Sequence, residues 1–400
     1  MREIYILLSL LCTTLLWGQQ PLTQVQANAF KEKVVEKNKT IKTMQASFVQ
    51  KKHLEFMSKD METKGEMAFS KPDKLNWSYT TPYSYRIVFQ GDNIKVDDAG
   101  KVSQMKADNK VFKKINQLIT RSVSGDMFDQ KEFAVTFFTS GKETLTKLLP
   151  KDKTLLKYIK EIHLFFSPDA TVGRVKLIEP TDDYTEITFT HQQFNTPIDE
   201  ATFKLDRKIF LLLLSCGASF SLPESYQKEK AGEKITHPYF GIGEHQLRAT
   251  IEAYGHSFNG VLAIKTVTDN YRIALITDFG NTLFQFYYRR GEGWRVEYIT
   301  EALDRKPLIR LLQRDFEDLL QADRYADKYT HNQEVAYVAT EGKRKVYLFE
   351  NQDKKIYKQE NIKGSKHYTT FAAHYKAAGE LLQIVIEHHT VPVKITLDVL

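Results

Sequence analysis

Arg207-Lys208-Ile209-Phe210-Leu211-Leu212-Leu213-Leu214-Ser215-Cys216-Gly217 stands near the middle of a 400-residue chain. Two basic residues precede a short apolar run, and then come a small residue and a cysteine. That order is how a bacterial lipoprotein signal reads, yet such a signal belongs at an N-terminus. About two hundred residues come before it, so the chain reads as two envelope proteins joined end to end. Everything else is read in two halves, with residues 207–222 as the junction.

Cys216 carries three readings. In the first, Leu213-Leu214-Ser215-Cys216 is a lipobox and Cys216 is the site of lipid attachment. In the second, Ile209–Leu214 is a buried strand and Cys216 is a small core residue. The third is genetic. No Met follows Met127, and Leu205 as an alternative start codon opens a separate protein at Leu-Asp-Arg-Lys-Ile-Phe.

A second export signal stands at the front. Arg2 is followed by the almost wholly apolar run Ile4–Leu16 and then by Trp17-Gly18-Gln19-Gln20. The run is short for a bilayer span and fits a cleaved secretory signal over residues 1–19. The alternative is an uncleaved anchor. Cys12 is lost with the signal, and Leu11 just before it is wrong for lipidation. One cysteine, Cys216, then remains, so no internal disulfide forms and the core alone must stabilise an exported chain. The net charge of +7 is mild and spread along the chain, which argues against nucleic acid as a partner.

In the first half, Val25, Ala29, Phe30, Val34 and Val35 fall near helical spacing, and 24–38 reads as an amphipathic helix. Alternation then begins at Met44, Ala46, Phe48 and Gln50. Strand-like runs follow at 65–70, 75–79, 85–89 and 93–96, with turns at Lys71-Pro72-Asp73, Thr81-Pro82 and Gly91-Asp92-Asn93. Residues 109–150 read as helical and unusually apolar, with Phe112, Ile115, Leu118 and Ile119 on one face and Phe128, Leu145, Leu148 and Leu149 beyond. Strands resume at 162–166, 173–179 and 184–189. A one-sided antiparallel sheet under helices leaves either a filled core or a cavity.

The combination Phe48-Val49-Gln50, Gly65, Lys71-Pro72-x-x-Leu75-Asn76-Trp77-x-Tyr79-x-x-Pro82-Tyr83 and Gly91-Asp92 resembles the LolA family. Its members carry lipoproteins across the periplasm. The stretch Phe194-Asn195-Thr196-Pro197-Ile198, ending at Phe203, is similar to the family's last strand, and the likeness covers roughly residues 22–205. It implies a half-barrel closed by helices with acyl chains held between them. The chain departs from the family at Asn76, where family members have an Arg that helps latch the lid. A carrier of flexible acyl chains needs a large apolar wall and no catalytic cluster, because apolar burial contributes ~25 cal/mol per Å² without directional bonds. Phe69, Trp77, Tyr79, Tyr83, Phe89, Leu118, Ile119 and Phe128 are the candidate wall residues. For any one of them taken singly, ordinary core is the favoured alternative, since aromatic residues at strand spacing usually pack.

The second half repeats the order of strands, helix and strands. Strands are expected at 261–265, 271–276, 282–288 and 294–299, then a helix from Pro307 with apolar residues at 308, 309, 311, 312, 316, 319 and 320, then strands from Glu334. Tyr271-Arg272-Ile273 echoes Tyr85-Arg86-Ile87. Gly260-Val-Leu-Ala and Tyr271-Arg-Ile-Ala-Leu-Ile-Thr-Asp-Phe-Gly-Asn-Thr-Leu resemble the LolB family, outer-membrane lipoproteins that take cargo from LolA. This likeness is more diffuse and covers roughly residues 216–400. It implies that Cys216 stands at the lipidated N-terminus of such a protein. In the loop Thr277–Thr282, Phe279 then takes the place of an exposed Leu used for membrane delivery. The alternative is that Phe279 folds back onto the sheet.

The expected architecture is therefore α+β: two half-barrels of antiparallel strands, each covered by helices over an apolar cavity, at 20–206 and 223–400. The expected function is a periplasmic carrier of lipoprotein acyl chains acting between the inner-membrane release machinery and the outer membrane. The alternative is an envelope protein that carries another lipid or a pigment ester. No cofactor or metal is expected, and no His-Glu-x-x-His or Gly-x-Ser-x-Gly motif marks an enzyme. His388-His389, next to the apolar run Leu381–Glu387, reads as a strand end rather than a metal site.

Overall fold

A computed structural model describes residues 19–91, 93–98, 100–105, 128, 131–205, 220–236, 238–268, 270–320 and 323–400. The chain divides into two compact units, one of residues 1–55 and 59–209, the other of residues 56–58 and 210–400. Each described unit is dominated by one antiparallel sheet. No described helix is long and apolar enough to cross a membrane.

Unit one contains β1 (Gln20–Pro21), α1 (Gln24–Thr40), β2 (Thr43–His53), β3 (Met61–Ser70), β4 (Lys74–Thr81), β5 (Tyr85–Gln90), β6 (Asn93–Asp98), β7 (Lys101–Met105), β8 (Phe133–Ser140), β9 (Glu143–Pro150), β10 (Glu161–Phe166), β11 (Val172–Ile178) and β12 (Tyr184–Phe194). Thr23 starts α1 with a capping box, its hydroxyl accepting from Gln26 N and Gln26 Oε1 accepting from Thr23 N. Phe30 and Val34 of α1 pack on the β8–β11 side of the sheet, where Phe133, Leu148, Ile162 and Phe166 form a core. Phe30 meets Phe166 and Phe137 edge-on, with ring centroids 5.2 and 5.8 Å apart.

The expected helices over 109–150 are corrected at their C-terminal end. Residues 133–150 form the hairpin β8–β9, in register from Phe133↔Pro150 to Ser140↔Glu143. Phe133, Val135, Phe137 and Thr139 alternate along β8, and β-branched and aromatic side chains suit a pleated surface better than a helix. Gly141, at φ 62°, supplies the left-handed turn that joins the strands. Residues 109–127, including Leu118 and Ile119, lie outside the described residues. One α-helix is described in each unit, so among the described residues the sheets are open, and the cover expected from 109–127 lies outside those residues.

Unit two contains β13 (Gln227–Thr236), β14 (Gly243–Ala253), β15 (His256–Val267), β16 (Asn270–Ile276), β17 (Thr282–Arg289), β18 (Gly293–Ile299), α2 (Lys306–Leu320), β19 (Asp323–His331), β20 (Glu334–Glu341), β21 (Arg344–Glu350), β22 (Ile356–Lys363), β23 (Lys366–Tyr375), β24 (Leu381–His388) and β25 (Val393–Val399). Leu308, Leu312, Phe316 and Leu319 form one stripe of α2 and bury against the sheet.

The two sheets, of twelve and thirteen described strands, follow one pairing plan. In unit one it is β1-β8-β9-β10-β11-β12-β2-β3-β4-β5-β6-β7, and in unit two it is β13-β19-β20-β21-β22-β23-β24-β25-β14-β15-β16-β17-β18. In both, a first long strand pairs with the last one (β2 with β12, β14 with β25), a meander runs outward, and the chain crosses to return strand by strand. In both, a leading strand caps the far edge (β1 on β8, β13 on β19). The repeat expected from strands, helix and strands is thus a repeat of pairing order.

Candidate functional site

Alternation and register together build an apolar face across β2–β5. Phe48, Gly65, Tyr79 and Tyr85 form one row; Ala46, Met67, Trp77 and Ile87 the next; Met44, Phe69, Leu75 and Phe89 the third. Successive side chains of a strand point to opposite faces, so residues two apart share this one. Phe48, Phe69, Trp77 and Phe89 are each 1% exposed. Gly65 has no side chain for a steric reason: a Cβ there would lie 2.5 Å from Phe48 Cζ and 2.0 Å from Ser78 O. The Phe48 ring occupies that space and stacks on Trp77 at 4.3 Å, with its edge toward Tyr79 at 5.3 Å.

The polar groups on this face sit at one end of it. Tyr79 donates its hydroxyl to Gln50 Oε1 at 3.1 Å, and Lys52 pairs with Glu179 at 2.8 Å, both buried. The carboxylate–ammonium pair and the phenol–amide bond each satisfy their own members, and among the described residues no nucleophile–base pair stands on the face. The face is apolar and, like its equivalent in unit two, buried.

Of the expected wall residues, Phe69, Trp77, Tyr79 and Phe89 share this face. Tyr83 lies at its margin, half-buried, 6.1 Å from the Tyr79 ring. Phe128 goes elsewhere, packing on Phe137 and Phe166 at 5.5 and 6.2 Å in the α1-covered core. Phe48, Met67, Leu75 and Ile87 were missing from the expected wall, although the alternation that begins at Met44 already points Phe48 to it.

Asn76 lies on the opposite face from Trp77. Arg86, on the neighbouring strand, donates Nε to Asn76 Oδ1 at 2.6 Å and Nη2 to Thr202 O. This back face holds Ala68, Val88, Phe203 and Leu205. A guanidinium is therefore present beside position 76, supplied one strand over, and it ties the C-terminal segment of unit one to the sheet. Burial lowers the Arg86 pKa, partly offset by Asp97.

In unit two the equivalent face is filled. Phe284 and Phe286 of β17 stack at 4.6 Å, and Phe316 of α2 sits on them at 5.9 and 6.4 Å. Phe279, expected as an exposed delivery residue, is 2% exposed, and that reading is corrected. Its neighbour Asp278 is also buried and pairs with Arg248 Nη1 at 2.5 Å. Thr277 N donates to Asn281 O at 2.8 Å and Gly280 takes φ 86°. The ion pair draws the turn against the body of the unit, and the aromatic ring goes in with it. Cys216 lies outside the described residues.

Residues 39–206 match the family described as outer membrane lipoprotein carrier protein LolA. An outer-membrane lipoprotein carrier protein of Halorhodospira halophila is 23% identical over 145 residues, which are 36% of this chain and 66% of that protein, just under two thirds of its length. A LolA superfamily protein of Nitrosomonas europaea superposes with a TM-score of 0.26 at 7% identity, covering 44% of this chain and 97% of its own. Lipoprotein LppX of Mycobacterium tuberculosis gives 0.27 at 12%, covering 44% and 99%. The Pseudomonas aeruginosa MucA/MucB complex gives 0.28 at 8%, covering 94% of both chains. These superpositions are distant.

Proposed function

We propose that unit one binds acyl chains of lipoproteins on the face built by β2–β5 and carries them within the bacterial envelope. The observation that carries this reading is the coincidence of the LolA-like region, residues 39–206, with a continuous aromatic and aliphatic face that has no catalytic set. An apolar face suits chains of varied length, because the stabilisation scales with buried area and not with bond geometry. A carrier needs no reaction chemistry, which agrees with a non-enzymatic role.

Export to the periplasm by residues 1–19, a junction at 207–222, release of cargo from the inner membrane and delivery to the outer membrane complete the proposal. Unit two, with its repeated strand order, is proposed as the LolB-like half of the same pathway. The test is a fluorescent apolar probe bound to the full chain and challenged with an acylated peptide. Displacement by the acylated peptide, and none by its unacylated form, is expected. A folded chain from which neither peptide displaces the probe rejects the carrier reading.

A further inference from the structure

On the sheet face of unit two turned away from α2, three metal-ligating side chains converge. Glu360 of β22, His367 of β23 and His389, just past β24, bring their ligand atoms within 4.8 Å of one another. We propose that Glu360, His367 and His389 bind one divalent transition-metal ion of the zinc class.

The strand ladder sets this group. Glu360 pairs with Thr370 across β22–β23, and Thr370 pairs with Glu387 across β23–β24. His389 N donates to Tyr368 O at 3.0 Å, so the pairing continues to the third ligand. Successive residues of a strand face opposite sides. His388 turns toward α2 and meets Asp315 at 2.9 Å, while His389 faces the cluster.

The donor atoms already point at one place. Glu360 Oε2 lies 2.7 Å from His367 Nε2. Thr370 Oγ1 is 2.6 Å from Glu360 Oε2, 3.2 Å from His367 Nε2 and 2.8 Å from His389 Nε2. The two imidazole rings are 4.1 Å apart. Glu360 is 2% exposed, and its other oxygen, Oε1, is held by Lys358 at 2.6 Å, which fixes the carboxylate as an outer-shell partner does. Phe220 packs beside His367 at 5.8 Å and shields that side.

Two imidazoles and one carboxylate with an oxygen at the fourth position is a zinc-type donor set. Calcium and magnesium prefer all-oxygen sites. The site belongs to unit two and stands independently of the carrier reading proposed for unit one. Its effect is to clamp three neighbouring strands of unit two.

The test uses the full chain, stripped with a chelator and titrated with Co2+ as an optical probe and then with Zn2+ in competition. One equivalent of tight binding is expected, with tetrahedral Co2+ absorption and a zinc-dependent rise in the melting temperature. His367→Gln and His389→Gln should each weaken binding at least ~10-fold, the lower end of what loss of an outer-shell partner alone costs. His256→Gln, an exposed histidine elsewhere, should change nothing. His389→Cys should keep the ion and add a sulfur-to-cobalt charge-transfer band, a positive signal that a merely destabilised variant cannot give. Absence of stoichiometric binding, binding that survives in the His367→Gln/His389→Gln double variant, or no such band in His389→Cys overturns the proposal.

Discussion

Gly65 and Gly260 hold the same place in the two units, and each is glycine because a strand backbone crosses where its Cβ would be. Gly65 lies on β3, the second strand of the first meander, and its Cβ would fall 2.0 Å from Ser78 O on β4. Gly260 lies on β15, the second strand of the second meander, and its Cβ would fall 2.0 Å from Ile276 O on β16. Their partners across the first strand, Phe48 and Ala249, are also equivalent. Gly65→Ala and Gly260→Ala should each destabilise their own unit by about 1–3 kcal/mol or more, because a carbonyl oxygen cannot rotate out of the way. In a Trp17→Phe background Trp77 and Trp294 report on units one and two separately, so denaturation followed with one of them replaced by Phe assigns each loss. An alanine variant whose own unit melts as before would show that the strands have slack.

The Asp278–Arg248 pair implies a specific behaviour for Phe279. Phe279→Glu should unfold or strongly destabilise unit two, since it buries an unpaired carboxylate and removes a ring. Phe279→Ala should cost about 3–5 kcal/mol. The measurement is chemical denaturation read by Trp294. A Phe279→Glu variant of near-native stability would restore the exposed reading that the sequence suggested.

Much of the fold is legible in the sequence. Strand alternation from Met44 onward and the 3.6-residue stripe of Leu308, Leu312, Phe316 and Leu319 both held, because each is a burial pattern with one consistent solution. The misplaced parts share a cause, tertiary partners out of view. The apolar density of 133–150 suits a helix or a hairpin alike, and the alternation of Phe133, Val135 and Phe137 with the Gly141 turn settles it. Phe279 sits among Asp, Gly and Asn, which mark a turn but not a turn anchored by Arg248, thirty residues away. The echo of Tyr85-Arg86-Ile87 in Tyr271-Arg272-Ile273 is one strand out of step, since β5 is the fourth strand of its meander and β16 the third. Gly65 and Gly260 are the equivalent pair. Glu360, His367 and His389 have no motif spacing, and three strands bring them together.

Asp315 gives unit two a pH dependence. Burial inside α2's packed face raises its pKa to about 6, and the hydrogen bond from His388 only partly opposes this. A carboxyl whose folded pKa is raised holds its proton more tightly in the folded state, so its contribution is full below the unfolded pKa near 4 and is lost as pH rises through about 6. The loss amounts to roughly 2–3 kcal/mol at neutral pH. Asp315→Asn, which can still accept from His388, should therefore gain stability relative to the parent between pH 4 and 7. Urea denaturation across that range, read by Trp294, should show the parent curve falling away from the variant. Parallel curves would mean that the carboxylate is better compensated than its burial implies.

Phe316 covers the aromatic row of unit two and Trp77 lies in the equivalent row of unit one, so replacing them one at a time tests the proposed acyl site. In unit two, Phe316 of α2 lies on Phe284 and Phe286 and completes a filled core. Phe316→Ala should cost about 3–5 kcal/mol and leave a dry apolar hole that takes a benzene-sized molecule but no acyl chain. Displacement of the fluorescent probe by acylated peptide should stay as in the parent. In unit one, Trp77 anchors the face through its stack on Phe48. Trp77→Ala removes the largest side chain of that face and should weaken acyl-peptide displacement several-fold, with circular dichroism confirming that the sheet persists. Trp77→Phe should restore most of the binding, because a smaller ring keeps the stack and the apolar surface. If Phe316→Ala abolishes displacement while Trp77→Ala leaves it intact, the acyl chain binds in unit two, and the assignment of cargo to β2–β5 fails.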